Sequence, residues 1–121
     1  MKKQKRGKII NISSSTALGG TAGLLHYLAS KAAIIGMTRG MATELGDDGI
    51  CVNAVAPGMT MTEASKRMFS DERAQRSAGG RCLKRLEQPE DLVGVIKFLA
   101  SDDSDFITGQ LIVVDGGAVK H

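Results

Sequence analysis

Three short apolar runs constrain the fold more than any other feature of this chain: Lys8–Ser13 "KIINIS", Ile50–Val55 "ICVNAV" and Leu111–Val114 "LIVV". Each is rich in β-branched residues and has turn-forming residues nearby, so each predicts a short buried strand. Long stretches with helical spacing separate them. Parallel strands need a crossover of a dozen or more residues between them, usually a helix. The pattern therefore predicts an α/β fold with three parallel strands and right-handed crossovers. In open sheets of this kind ligands bind outside the carboxyl ends of the strands. Those ends are Ser13–Ser14, Ala56–Pro57 and Asp115–Gly116.

The first crossover predicts a helix over 24–45, with an apolar stripe of Leu25, Leu28, Ala29, Ala32, Ile35 and Gly36. Gly46, Asp47, Asp48 and Gly49 stop it. Residues 60–79 predict two short helices. Ser70 is the expected N-cap of the second, with Asp71 and Glu72 in its first turn, where carboxylates complement the positive end of the helix dipole. "GGRCLKRLEQ" reads as a loop. Pro89 suits the first turn of a further helix, because its missing N–H has no helical partner there. Leu92, Val95, Ile96 and Leu99 form the apolar stripe of that helix.

At 121 residues, with 42% hydrophobic and 24% charged side chains, the expectation is a single domain spanning 1–121. Three Phe, one Tyr and no Trp leave an aliphatic core. The net charge of +3 is modest. Lys2, Lys3, Lys5, Arg6 and Lys8 form a basic tract, which usually marks a solvated surface. Nucleic-acid binding is the sharper reading of that tract, but no aromatic side chains accompany it to stack on bases, so no nucleic-acid partner is expected. Cys51 and Cys82 form no framework and no cluster with metal-ligand spacing, so no metal site is expected. No apolar run is long enough to span a bilayer and no signal peptide is evident, so the expected location is the cytoplasm.

The chemistry is concentrated in "HYLASK", residues 26–31. Residues four apart on a helix share a face and lie about 6 Å apart along its axis. Tyr27 and Lys31 therefore point the same way. A free phenol titrates near about pH 10, and a neighbouring ammonium favours the phenolate. Such a tyrosine can exchange a proton with an alcohol or carbonyl oxygen. Ser14, at the end of the first strand, is placed to come back beside it and hydrogen-bond the same oxygen. Two solvated side chains and a polar βα loop are the plainer reading of each piece taken singly.

Taken jointly and in order, "IINISS", "YLASK", "VNAVAPGMTMT" and "LEQPEDLVGVIKFLASDDSDFITGQLIVVDGG" resemble the second half of a short-chain dehydrogenase/reductase, in the branch that includes 3-oxoacyl-carrier-protein reductases. The resemblance covers Gly7 to Gly117. It implies a partial Rossmann-like, doubly wound fold with an NAD(P)-dependent oxidoreductase activity on a carbonyl or alcohol substrate. Ser14 matches the catalytic serine, Tyr27 the catalytic acid/base, and Lys31 the lysine that tunes the tyrosine and binds the nicotinamide ribose. Pro57, Gly58, Met59 and Thr62 match positions that meet the nicotinamide, and Asn53 matches a buried structural asparagine. The helices at 60–79 correspond to the lid over the substrate. The resemblance also implies a homo-oligomer, and Gly36 and Gly40 are spaced to let a second helix approach.

The same resemblance implies about twice this length. No GxGxxG, P-loop or ribose-gripping acid is present, so the expectation is a fold whose N-terminal half, with its phosphate-binding glycine loop, is absent. The choice between NAD and NADP rests on residues of that half. The strand at 8–13 would then carry an open apolar edge. The alternative function is a truncated, non-catalytic remnant that acts only as an association or partner-binding module.

Overall fold

The computed structural model describes residues 1–120. Its sheet has three parallel strands in the order β1 (Gly7–Ile12), β2 (Ile50–Pro57), β3 (Leu111–Val114). Gly7 stands opposite Ile50 and Ile12 opposite Val55; Ala54 stands opposite Leu111 and Pro57 opposite Val114. The expected parallel order is met, and all three carboxyl ends lie along one rim. Proline is tolerated at the end of the central strand because the chain leaves the ladder there.

The core is centred on β2. Ile50, Val52, Ala54, Val55 and Ala56 are all buried, as is Leu99 from the last long helix. Ile9, Met41 and Leu45 pack against Ala42, Ile50 and Val52. Asn53 is buried among them as the resemblance implied. Its amide donates to the Ile107 carbonyl at 2.7 Å, and its oxygen accepts the Gln110 N–H at 3.0 Å. It thereby fixes the chain entering β3. Truncating Asn53 to alanine strands both groups, at about 1–3 kcal/mol each. A urea titration should show a large fall in midpoint; an unchanged midpoint would remove the structural role.

Helix α1 (Thr16–Gly19) is a single turn closed by Gly20 at φ 68°. It is too short to leave a periodic trace in sequence. Helix α2 (Leu25–Leu45) fits the expected span, but its buried face differs. Thr38 and Ala42 are its most buried residues, whereas Leu25 is 78% exposed and Ala29, Gly36 and Gly40 also face outward. The helix is apolar on two sides, and hydrophobic spacing cannot say which side meets the sheet. Polar side chains help decide it. Asn11 of β1 donates to the Thr38 hydroxyl at 2.9 Å, which itself donates to the Ile34 carbonyl at 2.8 Å.

The expected pair of helices over 60–79 is α3 (Glu63–Met68) and α4 (Asp71–Gly80). Ser70 caps α4 as expected, accepting the Arg73 N–H at 3.3 Å. Of the two, only α4 buries residues, Ala74 and Ala78. Helix α5 (Glu90–Ala100) follows directly from Pro89. The basic tract at the N-terminus is mostly paired. Lys2 and Lys5 reach Asp48 at 3.4 and 2.6 Å, Lys8 reaches Asp105 at 2.8 Å, and Arg6 pairs with Asp102. No helix among the described residues is long and apolar enough to cross a membrane.

Asp91, in the first turn of α5, is gripped by the Arg85 guanidinium through two bonds of 2.6 and 2.7 Å and accepts the Gln88 N–H at 2.8 Å. The Arg85 bonds first, and the amide second, lower its carboxyl from the ordinary 3.8 to about 2. A carboxyl held lower in the folded state stabilises the fold above its unfolded value, and that contribution is lost as pH falls through the folded value. An Asp91→Ala variant should therefore unfold more readily than the wild type above pH 3.8, with the difference closing towards pH 2. Parallel urea curves at several pH values test this, and a gap that does not narrow in acid contradicts it.

Candidate active site

The end of β1 is stitched to the end of β2 on both sides of Ser14. The Ser13 N–H donates to the Val55 carbonyl at 2.8 Å, and the Ser15 N–H donates to the Pro57 carbonyl at 2.9 Å. Ser14 thus lies at the sheet rim beside Pro57. It is 6% exposed. Its hydroxyl oxygen accepts the Thr16 N–H at 3.3 Å, and its carbonyl accepts the Ala17 N–H at 3.1 Å, so the loop turns sharply away from the strand into α1.

Helix α2 is tied to the same strand end by a reciprocal pair of bonds. The Ser13 hydroxyl donates to the Lys31 carbonyl at 2.8 Å. The Lys31 ammonium donates to the Ile12 carbonyl at 3.0 Å. This holds the first turns of the helix over the Ser14 loop. Tyr27 and Lys31 share a face, as their spacing requires, and Nζ lies 5.7 Å from the centre of the phenol ring. At that range the cation interacts with the ring, and the arrangement keeps a positive charge next to the tyrosine. Tyr27 is 37% exposed, open to a molecule arriving at the rim. The structure therefore brings Tyr27 and Lys31 together directly. Ser14 follows Ser13, the residue that bonds α2, and among the described residues no hydrogen bond joins Ser14 to Tyr27 or Lys31.

The third part of the rim is the segment after β2. The Gly58 N–H donates to the Val114 carbonyl at 3.0 Å, which extends the ladder by one bond. The next two N–H groups, of Met59 and Thr60, donate to no acceptor among the described residues. Thr62 is the N-cap of α3; its hydroxyl accepts the Ser65 N–H at 3.1 Å in a capping box. Its own proton faces the Ser65 hydroxyl at 3.2 Å. At the far side of the rim the Asp115 carboxylate accepts the N–H groups of Gly117, Ala118 and Val119 at 2.9, 3.1 and 2.9 Å.

One pair in this region was not legible in the sequence. Arg81 and Glu87, in the segment that reads as a loop, are 3% and 4% exposed and sit directly behind Gly58. The guanidinium donates to the Met59 carbonyl at 2.9 Å, and Glu87 Oε1 accepts the Thr60 hydroxyl at 2.8 Å. Burial pushes the Glu87 carboxyl above its usual range, against the Thr60 hydrogen bond, the Arg81 charge and the Gly58 amide. No periodic pattern marks two charges six apart in a loop as buried.

A three-stranded parallel sheet with a serine loop, a Tyr–Lys helix face and free backbone donors at its carboxyl rim is part of a Rossmann-like α/β fold. A family model described as Enoyl-(Acyl carrier protein) reductase matches residues 1–119. The chain is 46% identical over 120 residues to a 3-oxoacyl-[acyl-carrier-protein] reductase of Thermotoga maritima, covering 98% of this chain and 48% of the relative. It is 36% identical to Dehydrogenase/reductase SDR family member 4 of Bos taurus, covering 100% of this chain and 44% of that one. The crystal structure of 3-oxoacyl-[acyl-carrier protein] reductase from Brucella melitensis superposes with a TM-score of 0.91 at 35% identity, over 99% of this chain and 45% of its own. A short-chain type dehydrogenase/reductase from Mycobacterium ulcerans superposes with a TM-score of 0.92 at 32% identity, over 98% and 43%. The chain belongs to the short-chain dehydrogenase/reductase family. It spans about half the length of the curated relatives it matches.

Proposed function

We propose that residues 1–121 form a single domain carrying the catalytic and substrate side of an NAD(P)-dependent oxidoreductase. The substrate class is a small-molecule carbonyl or its alcohol. The observation that carries this reading is the Lys31 ammonium, anchored on Ile12 and lying 5.7 Å from the Tyr27 ring at the sheet's carboxyl rim. When bound, the nicotinamide supplies or accepts the hydride. Tyr27 gives a proton to the substrate oxygen, or takes one from it, and Lys31 keeps a positive charge beside the phenol. Ser14 donates its hydroxyl to the same oxygen and steadies the charge that develops there.

The residues present fit a nicotinamide. Met59 and Thr60 offer two unpartnered N–H groups, the right chemistry for a carboxamide oxygen. Pro57 and Gly58 shape the backbone that approaches the ring. The Thr62 hydroxyl donates its one proton to the Ser65 hydroxyl, a bond that a ligand would have to replace, whereas Lys31 retains ammonium donors beyond the bond to Ile12 for a ribose hydroxyl. NAD and NADP are both admitted, because the residues that would grip the adenosine ribose belong to the half of the fold that the resemblance places outside this chain. A cytoplasmic setting agrees with two free cysteines.

A second reading, a partner-binding module without catalysis, is favoured by one feature. Leu25, Met37 and the glycines at 36 and 40 form an exposed apolar stripe on α2, and a Cβ added at either glycine meets nothing within 4 Å. The glycines are therefore not there for packing on the sheet, and the stripe supports self-association in either reading. Titration with NADH and with NADPH, followed by cofactor fluorescence, separates the two. Saturable binding with turnover of a 3-oxoacyl thioester supports the enzyme. Self-association by sedimentation without either supports the module.

A further inference from the structure

We propose that Arg81 and Glu87 are positioning residues: a buried clamp that aims the Met59 and Thr60 N–H groups out of the rim towards the ligand. This inference rests on the cofactor reading above.

A trans peptide is planar, so its C=O and N–H point in opposite directions. The Arg81 guanidinium holds the Met59 carbonyl at 2.9 Å from behind. The Thr60 N–H belongs to the same peptide plane and is therefore turned outward. Glu87 acts one residue on. Its Oε1 accepts the Thr60 hydroxyl at 2.8 Å, and its backbone carbonyl accepts the Met61 N–H at 2.8 Å. Segment 58–61 is thus gripped on its inner side at successive residues, while its outer donors stay free.

The pair is built poorly for stability. Glu87 Oε2 lies 3.6 Å from the guanidinium, beyond hydrogen-bond length, and among the described residues neither it nor Arg81 Nε has a hydrogen-bond partner. A buried pair left partly unsatisfied is often no better than apolar side chains of the same size. Its bonds to segment 58–61 are the better explanation of its place. Arg81 is also the C-cap residue of α4, its backbone N–H donating to the Ala78 carbonyl, so this one residue ties the end of α4 to Met59 through its side chain.

The test uses the full chain with Arg81→Met and Glu87→Leu combined. The double variant is expected to fold with a urea midpoint at or above that of wild type. Its Gly58 and Met61 amides, which flank the free donors, should exchange about tenfold faster with solvent. Its dissociation constant for NADH should rise by about tenfold. A pair that served stability alone would move the midpoint and leave those two amides unchanged. Should the double variant not fold, Thr60→Val decides in its place, because it cuts the hydroxyl link to Glu87 and should speed the same two amides. Unchanged exchange at Gly58 and Met61 in a folded variant overturns the clamp. If wild type binds no NADH, the cofactor reading fails, while the exchange rates still decide whether the clamp exists.

Discussion

Tyr27→Phe is expected to abolish turnover while leaving the fold and cofactor binding in place. The phenol is 37% exposed, and its hydroxyl makes no hydrogen bond within the described residues. Removing the oxygen leaves no buried group unpaired, so stability should stay within about 0.5 kcal/mol of wild type. The ring remains for Lys31 to rest against. What is lost is the proton of the phenol that stands beside the Lys31 cation, and positioned acid–base groups contribute roughly 10²–10⁴-fold to rate. The measurement is oxidation of NADPH with a 3-oxoacyl thioester, a probe chosen after the name of the Thermotoga maritima relative, alongside a urea curve. Turnover retained at the wild-type level would remove Tyr27 from the mechanism. A matching fall in stability would show that the ring had been read wrongly.

Gly58→Ala is expected to give the largest loss among single-atom additions at the rim. A Cβ at that position would lie 2.6 Å from Glu87 Oε2, 2.9 Å from the Asp115 Cβ and 3.1 Å from Arg81 Nη2. These atoms cannot swing aside. Glu87 and Arg81 are buried and bonded to Thr60 and Met59, and Asp115 is held by three backbone N–H groups. Forcing an extra methyl into a packed region costs about 1–3 kcal/mol, and here the displaced groups hold the donor segment. Stability and NADH affinity should fall together. Gly40→Ala is the control: nothing lies within 4 Å of the new methyl, and alanine is favoured over glycine in a helix by about 1 kcal/mol. A Gly58→Ala protein as stable as wild type would mean that the rim is looser than its contacts indicate.

These expectations rest on unequal amounts of sequence information. The three strands were legible because each is a compact apolar run, and their parallel order followed from the length of chain between them. The joint face of Tyr27 and Lys31 followed from helical geometry. The Ser70 cap was legible because N-cap chemistry is local. Helix α1 was not, because one turn is shorter than any period. The inward face of α2 was not legible: Leu25, Ala29 and Gly36 of its apolar stripe are exposed, since an apolar residue facing a sheet and one facing outward look alike in a list of letters.

The sequence by itself determined the architecture and the shared face of Tyr27 and Lys31, because both depend on periodicity along a few turns or a few strand residues. Tertiary structure alone decided that Lys31 reaches back to Ile12, that α2 turns Thr38 and Ala42 to the sheet, and that Arg81 and Glu87 are buried behind Gly58. Each of those facts depends on groups far apart in the chain; the Arg81 donor and its Met59 acceptor are 22 residues apart. A charge reveals its partner only when the fold has removed the water that would otherwise satisfy it.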